Sequence, residues 1–281
     1  MNSYDINSFI ENSLNEDIGS GDHTTLATIK KNEINKAHIL VKQSGIIAGV
    51  ELAKRIFKKV DKKIKLTQYF KDGEKVNNGD IIFQIIGSAH SILKSERLIL
   101  NCMQRMSSIA THTNEICQIL KNTKTKILDT RKTTPLNRLI EKWAVKIGGG
   151  INHRFGLHDM IMIKDNHIDF VGNVKNAIID TKKYIKNQNL DLKIIVEARN
   201  LNEVNEIVQE GGINRILLDN FNYKKTKEAV KIINRRYETE SSGNITQKNV
   251  LNYAKCGVDY VSMGALTNSI KTFDISLKSI K

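Results

Sequence analysis

The sequence predicts an α/β protein whose second half is an incomplete or compact β/α barrel, and three observations predict it. From about residue 124 onward, short apolar runs alternate with helical stretches, the rhythm of parallel strands joined by crossover helices. Each run ends in a reactive or small polar residue. Such residues at the C-terminal ends of successive parallel strands mark the working face of a barrel, whereas a doubly wound sheet gathers them at one switch point. The stretch that holds them is roughly 160 residues, short of the roughly 250 of a full eight-unit barrel.

The elements follow in order. Ile6, Phe9, Ile10 and Leu14 have the spacing of one helix face. KAHILVKQSGIIAGVEL reads as a strand, a turn and a helix opening near Val50. VNNGDIIFQIIG reads as a hairpin or turn followed by an apolar strand. SILKSERLILNCMQRMSSIATHTNEICQIL reads as one long helix, with a break allowed near Ser107. The later strands are TKILDTR, MIMIKDNH, LKIIVEAR, RILLDNF, a weaker YETESSGN, and VDYVSMGA. Their ends carry Arg131 with Lys132, Lys164, Glu197, Asp219, Ser242 with Gly243, and Gly264.

Composition excludes several classes. No stretch approaches the roughly 20 apolar residues of a membrane span, and the N-terminal stretch lacks the basic and apolar regions of a signal peptide. The three cysteines, Cys102, Cys117 and Cys256, are scattered without metal-ligand spacing and read as reduced thiols. A cytoplasmic protein with no membrane partner is expected. The net charge of +14 raises nucleic acid as a partner. The lysines, however, are spread along the chain, and no aromatic residues interleave with them to stack bases. They read as a solvated surface, and no nucleic-acid partner is expected.

The chemistry concentrates in DTRKTTPLNRLIEKWAVKIGGGINHRFGLHDMIMIKDNH, Asp129 to His167, which holds Arg131, Lys132, Arg154 and Lys164 with His153 beside the third cation. Converging cations repel one another, so the cluster implies an anionic guest. Arg offers a flat fork and Lys a point charge, a set that suits two carboxylates or phosphates. Pro135, the only proline, fixes a turn. The glycines 148–150 allow close backbone approach or a flexible turn, and no Gly-Lys-Ser/Thr follows to make a P-loop. His153 either fills the core or orients a substrate or cation. Glu197 and Asp219 either pair with the cations or bind ribose hydroxyls and help hold Mg²⁺. SSGN (Ser241–Asn244) and SMGA (Ser262–Ala265) suit a phosphate site after the last strands.

With those residues in place, EDIGSGDHTT, SERLILNCMQRMSSIAT, the Asp129–His167 segment, VEARNLNEV, ILLDNF, SSGNIT and VSMGALTNS resemble the quinolinate phosphoribosyltransferases over nearly the full length. The family is also called carboxylating nicotinate-nucleotide pyrophosphorylase. The resemblance implies a type II phosphoribosyltransferase-like α/β fold. An N-terminal α/β sandwich domain, residues 1–110 joined by about 274–281, accompanies an open β/α barrel over 111–273. It implies conversion of quinolinate and 5-phosphoribosyl-1-diphosphate to nicotinate mononucleotide, CO₂ and diphosphate. It implies catalytic roles for Lys132, Lys164, Glu197 and Asp219. The implied substrate contacts add Arg105, Thr130, Arg131, His153 and Arg154, with Ser242, Gly243, Asn244, Met263, Gly264 and Ala265 at the 5-phosphate. Mg²⁺ is implied as cofactor, held at Glu197 and Asp219 largely through substrate and water. A homodimer or dimer-based oligomer with shared sites is implied, Arg105 being lent to the neighbour. Periodicity alone makes Arg105 an exposed helix charge.

Leu136 and Asn244 stand where the family usually has glycine, Ile195 where a further Glu is frequent, and Asn268 where His is common. A paralogous barrel transferase for another acid, such as nicotinate, is the alternative reading. The full cation set argues against it, since a monocarboxylate needs fewer.

Overall fold

The computed structural model describes residues 3–280. Positions 1, 2 and 281, at the outer ends of the segments 1–110 and 274–281, lie outside the described residues. The chain forms two compact units. One comprises the chain up to Asn114, Thr134–Gly149 and the stretch from Ile270 onward; the other comprises Glu115–Thr133 and Gly150–Ser269. Residues 134–149 therefore cluster with the first unit, although the sequence reading runs the barrel without interruption over 111–273.

The first unit opens with helices α1 (Ser3–Ile18) and α2 (His23–Thr28), strands β1 (Ile34–Val41) and β2 (Gly45–Ile46), and helix α3 (Val50–Val60). Strands β3 (Lys65–Gln68), β4 (Lys75–Val76) and β5 (Ile81–Ser88) lead into α4 (Ala89–Leu120). The terminal strand Ile275–Ile280 pairs antiparallel with β1, which pairs with β5, which pairs with β3. Helix α3 buries Val50, Leu52, Ala53, Ile56 and Phe57 on one face and ends in Lys58 and Lys59, which suit the negative end of the helix. Its free amides at Val50 and Glu51 are taken by the Asp72 carboxylate at 2.8 and 3.2 Å.

Helix α4 runs unbroken through Ser107. The Ser107 hydroxyl accepts from the Ala48 amide at 3.0 Å and donates to the Ala48 carbonyl at 3.2 Å, so a neighbouring loop absorbs its polarity. Helix α5 (Arg138–Ile147) ends against α4. A Cβ on Gly148 would lie 2.5 Å from the Ala110 carbonyl oxygen and 2.7 Å from Thr113 Cβ, and Gly149 has φ 95°. These two glycines therefore serve close helix packing and a helix end, within the first unit.

The second unit holds β6 (Lys126–Leu128), β7 (Ile161–Ile163), β8 (Ile194–Ala198), β9 (Arg215–Asp219), β10 (Glu238–Ser242) and β11 (Tyr260–Ser262). All pairs are parallel, in the order β6-β11-β10-β9-β8-β7. A single parallel bridge, Leu128 to Ile151, extends the sheet past β6. Among the described residues no ladder links that bridge to β7, so the barrel is open. Every residue of β8 is buried, as a parallel strand covered on both faces requires. Between strands run α6 (Asp165–Val171), α7 (Val174–Gln188), α8 (Leu201–Glu210), α9 (Tyr223–Ile233), α10 (Val250–Ala254) and, after β11, α11 (Ala265–Asn268). Asn173, Asn200 and Asn222 cap α7, α8 and α9, their side chains accepting from the amides of Asn176, Glu203 and Lys225. The weakly apolar strand β10 buries Thr239, Glu240 and Ser241. Thr239 is held by Asp259, its amide and hydroxyl donating to that carboxylate at 2.8 and 2.7 Å.

Candidate active site

Strand β6 delivers the first cations. Asp129, fully buried just beyond it, accepts the His153 amide at 2.8 Å. The chain then turns outward: Thr130 Oγ1 accepts the Lys132 amide at 3.0 Å, and Arg131 and Lys132 are exposed. Lys132 runs beside Gly264, where a Cβ would sit 2.8 Å from its Cδ. Its carbonyl accepts from the Thr267 hydroxyl at 2.8 Å. Lys132 thus sits at the end of β11, next to the buried Met263 and half-buried Gly264 and Ala265.

Arg154 is buried and donates through Nη1 to the Met160 carbonyl at 3.2 Å. Desolvation and the Arg131 charge pull its pKa down, Asp159 opposing, so the two guanidinium groups share one electrostatic environment. Asp159 pins the intervening loop by accepting from the amides of Phe155 and Gly156 at 2.6 and 2.9 Å. The sequence groups His153 with the cations, but its ring is engaged within the protein. Nδ1 accepts the Arg154 amide at 2.6 Å, and Nε2 lies 3.3 Å from Glu240 Oε2. An accepting Nδ1 leaves Nε2 as the ring nitrogen that can donate.

Lys164 closes β7. Its amide donates to the His167 ring at 2.9 Å, which starts α6, and its Nζ meets Glu197 Oε2 at 2.8 Å. Glu197 ends β8, almost wholly buried. Burial pushes its carboxyl above the ordinary range, Lys164 pulls it back, and the charges of Asp219 and Asp165 push it up again. Asp219, at the end of β9, accepts from Asn220 Nδ2 at 2.7 Å. Asn220 Oδ1 in turn accepts from Asn244 Nδ2 at 3.0 Å, tying the acid to the Ser242–Asn244 loop. A Cβ on Gly243 would collide with Asn220 Oδ1, and its φ is 88°, so only glycine fits there. Asn244 takes φ 51°, a left-handed conformation that Asn tolerates, which accounts for its standing in for glycine. Leu136, at φ 64° and almost fully exposed, has no such excuse. Ile195 is a buried β8 residue and Asn268 is exposed.

Arg105 belongs to the first unit and is half-buried, contrary to the exposed charge that periodicity suggests. Its Nε and Nη2 meet Glu141 Oε1, and Nη2 also reaches Thr134 Oγ1 at 3.3 Å. It borders a cavity of about 300 Å³ shared with Gln104, Ser108, Asn137 and Lys271.

Sequence reasoning missed Asp129, Glu141, Asp159, Arg215 and Glu240. The signal available for Glu240 is an acid inside the strand-like run YETESS. Among the described residues no group of three or more His, Cys, Asp or Glu side chains is arranged to hold a metal ion. Glu197 and Asp219 form a pair of oxygen donors that feel each other's charge.

Comparison with known proteins covers both units. Residues 22–107 match the quinolinate phosphoribosyl transferase N-terminal domain and residues 109–278 the C-terminal domain. The chain is 44% identical to the chloroplastic nicotinate-nucleotide pyrophosphorylase [carboxylating] of Arabidopsis thaliana, over 98% of this chain and 83% of that one. It is 37% identical to the probable nicotinate-nucleotide pyrophosphorylase [carboxylating] of Bacillus subtilis, over 99% and 94%. The crystal structure of NadC from Streptococcus pyogenes superposes with a TM-score of 0.93 at 36% identity, covering 100% of this chain and 99% of that one.

Proposed function

The chain belongs to the quinolinate phosphoribosyltransferase family, and from that premise we propose which of its side chains carry each part of the reaction. The enzyme transfers the phosphoribosyl group of 5-phosphoribosyl-1-diphosphate to quinolinate with decarboxylation, giving nicotinate mononucleotide, CO₂ and diphosphate for NAD biosynthesis. The observation that carries the assignment of roles is the Lys164–Glu197 ion pair beside Asp219, on neighbouring strand ends of the barrel that also presents Arg131 and Arg154.

Arg131 and Arg154 take the ring carboxylates as planar forks, with Thr130 beside them and Lys132 and Lys164 as point charges. His153 acts by orienting Arg154. Glu197 and Asp219 face the ribose, accept from its hydroxyls and counter the positive charge that develops there as diphosphate leaves. A unit charge at about 4 Å is worth on the order of 4 kcal/mol at an effective dielectric near 20. Ser242, Gly243 and Asn244, with Met263, Gly264 and Ala265, offer backbone N–H groups to the 5-phosphate. The pyridine nitrogen attacks the anomeric carbon, so positioning and electrostatics carry the catalysis. When the carbon–carboxylate bond breaks, its electron pair stays on the ring, where the same cations stabilise it until a proton is taken up.

The Glu197 and Asp219 pair also fits Mg²⁺, which prefers oxygen ligands and completes its shell with substrate and water. Bound there, Mg²⁺ supplies charge neutralisation for the diphosphate. Arg105 enters the site of a second copy in a homodimer or dimer-based oligomer; the family resemblance of the MQRMS segment supports this. A cytoplasmic setting completes the proposal, and no helix among the described residues is long and apolar enough to cross a membrane.

The test is release of labelled CO₂ from carboxyl-labelled quinolinate with and without the phosphoribosyl donor. Donor-dependent release matched by nicotinate mononucleotide is expected. Turnover of nicotinate but not quinolinate overturns the reading.

A further inference from the structure

We propose that Glu240, anchored by Arg215, is a positioning residue for quinolinate binding: it holds the His153 ring in the orientation that fixes Arg154. The proposal rests on the reading that Arg154 binds a substrate carboxylate.

Glu240 lies in the middle of β10 and is fully buried. A carboxylate there must be compensated. Arg215 Nη1 meets Oε2 at 2.9 Å, while Nε and Nη2 of the same guanidinium hold Glu238 Oε2 at 3.1 and 2.9 Å. The guanidinium also lies 4.0 Å from the centroid of the Tyr260 ring. Arg215 is therefore fixed from several sides and can fix Glu240 in turn. The same Oε2 faces His153 Nε2.

The other side of His153 leads to the site. Its amide is tied to the buried Asp129, and its Nδ1 receives the Arg154 amide. That last bond requires an unprotonated Nδ1, hence a proton on Nε2, hence an acceptor opposite Nε2. Glu240 Oε2, 3.3 Å away, is the carboxylate placed to serve as that acceptor. Remove it and the ring loses the carboxylate that faces Nε2, which loosens its orientation and weakens the bond from the Arg154 amide to Nδ1. Buried ion pairs seldom stabilise better than well-packed apolar side chains, so stability alone does not explain a charged pair inside this barrel.

The test uses the double variant Arg215→Met with Glu240→Met, which removes both buried charges and keeps side chains of similar length. The KM for quinolinate should rise by about 10-fold while the KM for the phosphoribosyl donor stays within about 2-fold. The Nε2-protonated signature of His153 should be lost from the NMR spectrum of ¹⁵N-histidine-labelled protein, its resonance assigned with His153→Gln. Glu240→Gln keeps an oxygen facing Nε2 and should bring the quinolinate KM back to within about 3-fold of wild type. If the double variant does not fold, Glu240→Asp, which keeps the charge but withdraws the oxygen, should raise the same KM. Wild-type quinolinate KM with an unchanged His153 signature, in whichever of these two variants folds, overturns the proposal. So does a Glu240→Gln enzyme no better than the double variant. Arg154→Lys is measured alongside. If it leaves the quinolinate KM unchanged, the role of Arg154 fails; if it raises that KM and the double variant does not, only the role of Glu240 fails.

Discussion

Arg105 is gripped by Glu141 through a single oxygen: Nε and Nη2 reach Oε1 at 3.0 and 2.8 Å, while Oε2 accepts the Thr134 amide at 3.3 Å. Glu141 has no exposed surface. The helix that carries it, α5, lies within the Asp129–His167 segment but clusters with the first unit. This grip gives a flexible side chain one geometry. Glu141→Ala should therefore raise the KM for quinolinate by about 10-fold and lower stability by about 2 kcal/mol, read by steady-state kinetics and urea unfolding.

If Arg105 serves a second copy, complementation follows. Mixing inactive Arg105→Ala with inactive Lys132→Ala subunits should restore part of the activity, because a mixed dimer holds one intact site. Native mass spectrometry establishes that mixed dimers form. Their presence without activity counts against shared sites.

Leu136 combines a left-handed backbone with an exposed side chain. An L-residue in that region is strained by about 1 kcal/mol, and glycine is not. Leu136→Gly should raise the unfolding free energy by up to about that amount. Unchanged stability would mean that the loop relaxes without strain.

Two glycines should respond differently to alanine. At Gly148 the added Cβ meets backbone, the Ala110 carbonyl oxygen, so Gly148→Ala should destabilise by about 2 kcal/mol or more. At Gly264 the added Cβ meets the stem of Lys132, which can swing away. Gly264→Ala should leave the melting temperature nearly unchanged and lower kcat, since Lys132 is moved. Thermal unfolding beside kinetics separates the two.

Glu240 also sets an acid dependence. Burial alone would raise its pKa, but His153, Arg215 and Ser262 hold it below the ordinary 4.5. A carboxyl depressed in the folded state contributes stability above its unfolded pKa and loses it as pH falls through the folded value. The stability gap between wild type and Glu240→Gln should therefore be largest above about pH 5 and shrink in more acid solution. A gap that widens on acidification contradicts this.

The barrel was legible because strands β6 to β9 and β11 announce themselves as short apolar runs with a polar terminus. Strand β10 was faint for a physical reason. ETESS devotes buried positions to Thr239, which binds Asp259, and to Glu240, which binds Arg215, so its apolar content is low. The cations of the candidate site stand out in the sequence because no apolar pattern explains them. Their supports were not. Asp129, Glu141 and Glu240 act on partners 24, 36 and 87 residues away by sequence number, and periodicity carries no information over such spans. His153 shows the limit from the other side: the sequence left it as a core histidine or an orienting group, and only the structure shows the ring between the Arg154 amide and Glu240. The allowance for a break at Ser107 failed because a loop distant in sequence, at Ala48, satisfies the hydroxyl.

The gap in the barrel between the Ile151 bridge and β7 has a mechanical consequence. Arg154 stands on one lip of this slit and Lys164 on the other, and among the described residues no ladder spans it. Only the strap between them does, cinched by Asp159 and the Met160 carbonyl. A guest that touches both lips becomes the missing rung, so ligation should slow amide exchange along 152–160 more than anywhere else in the second unit.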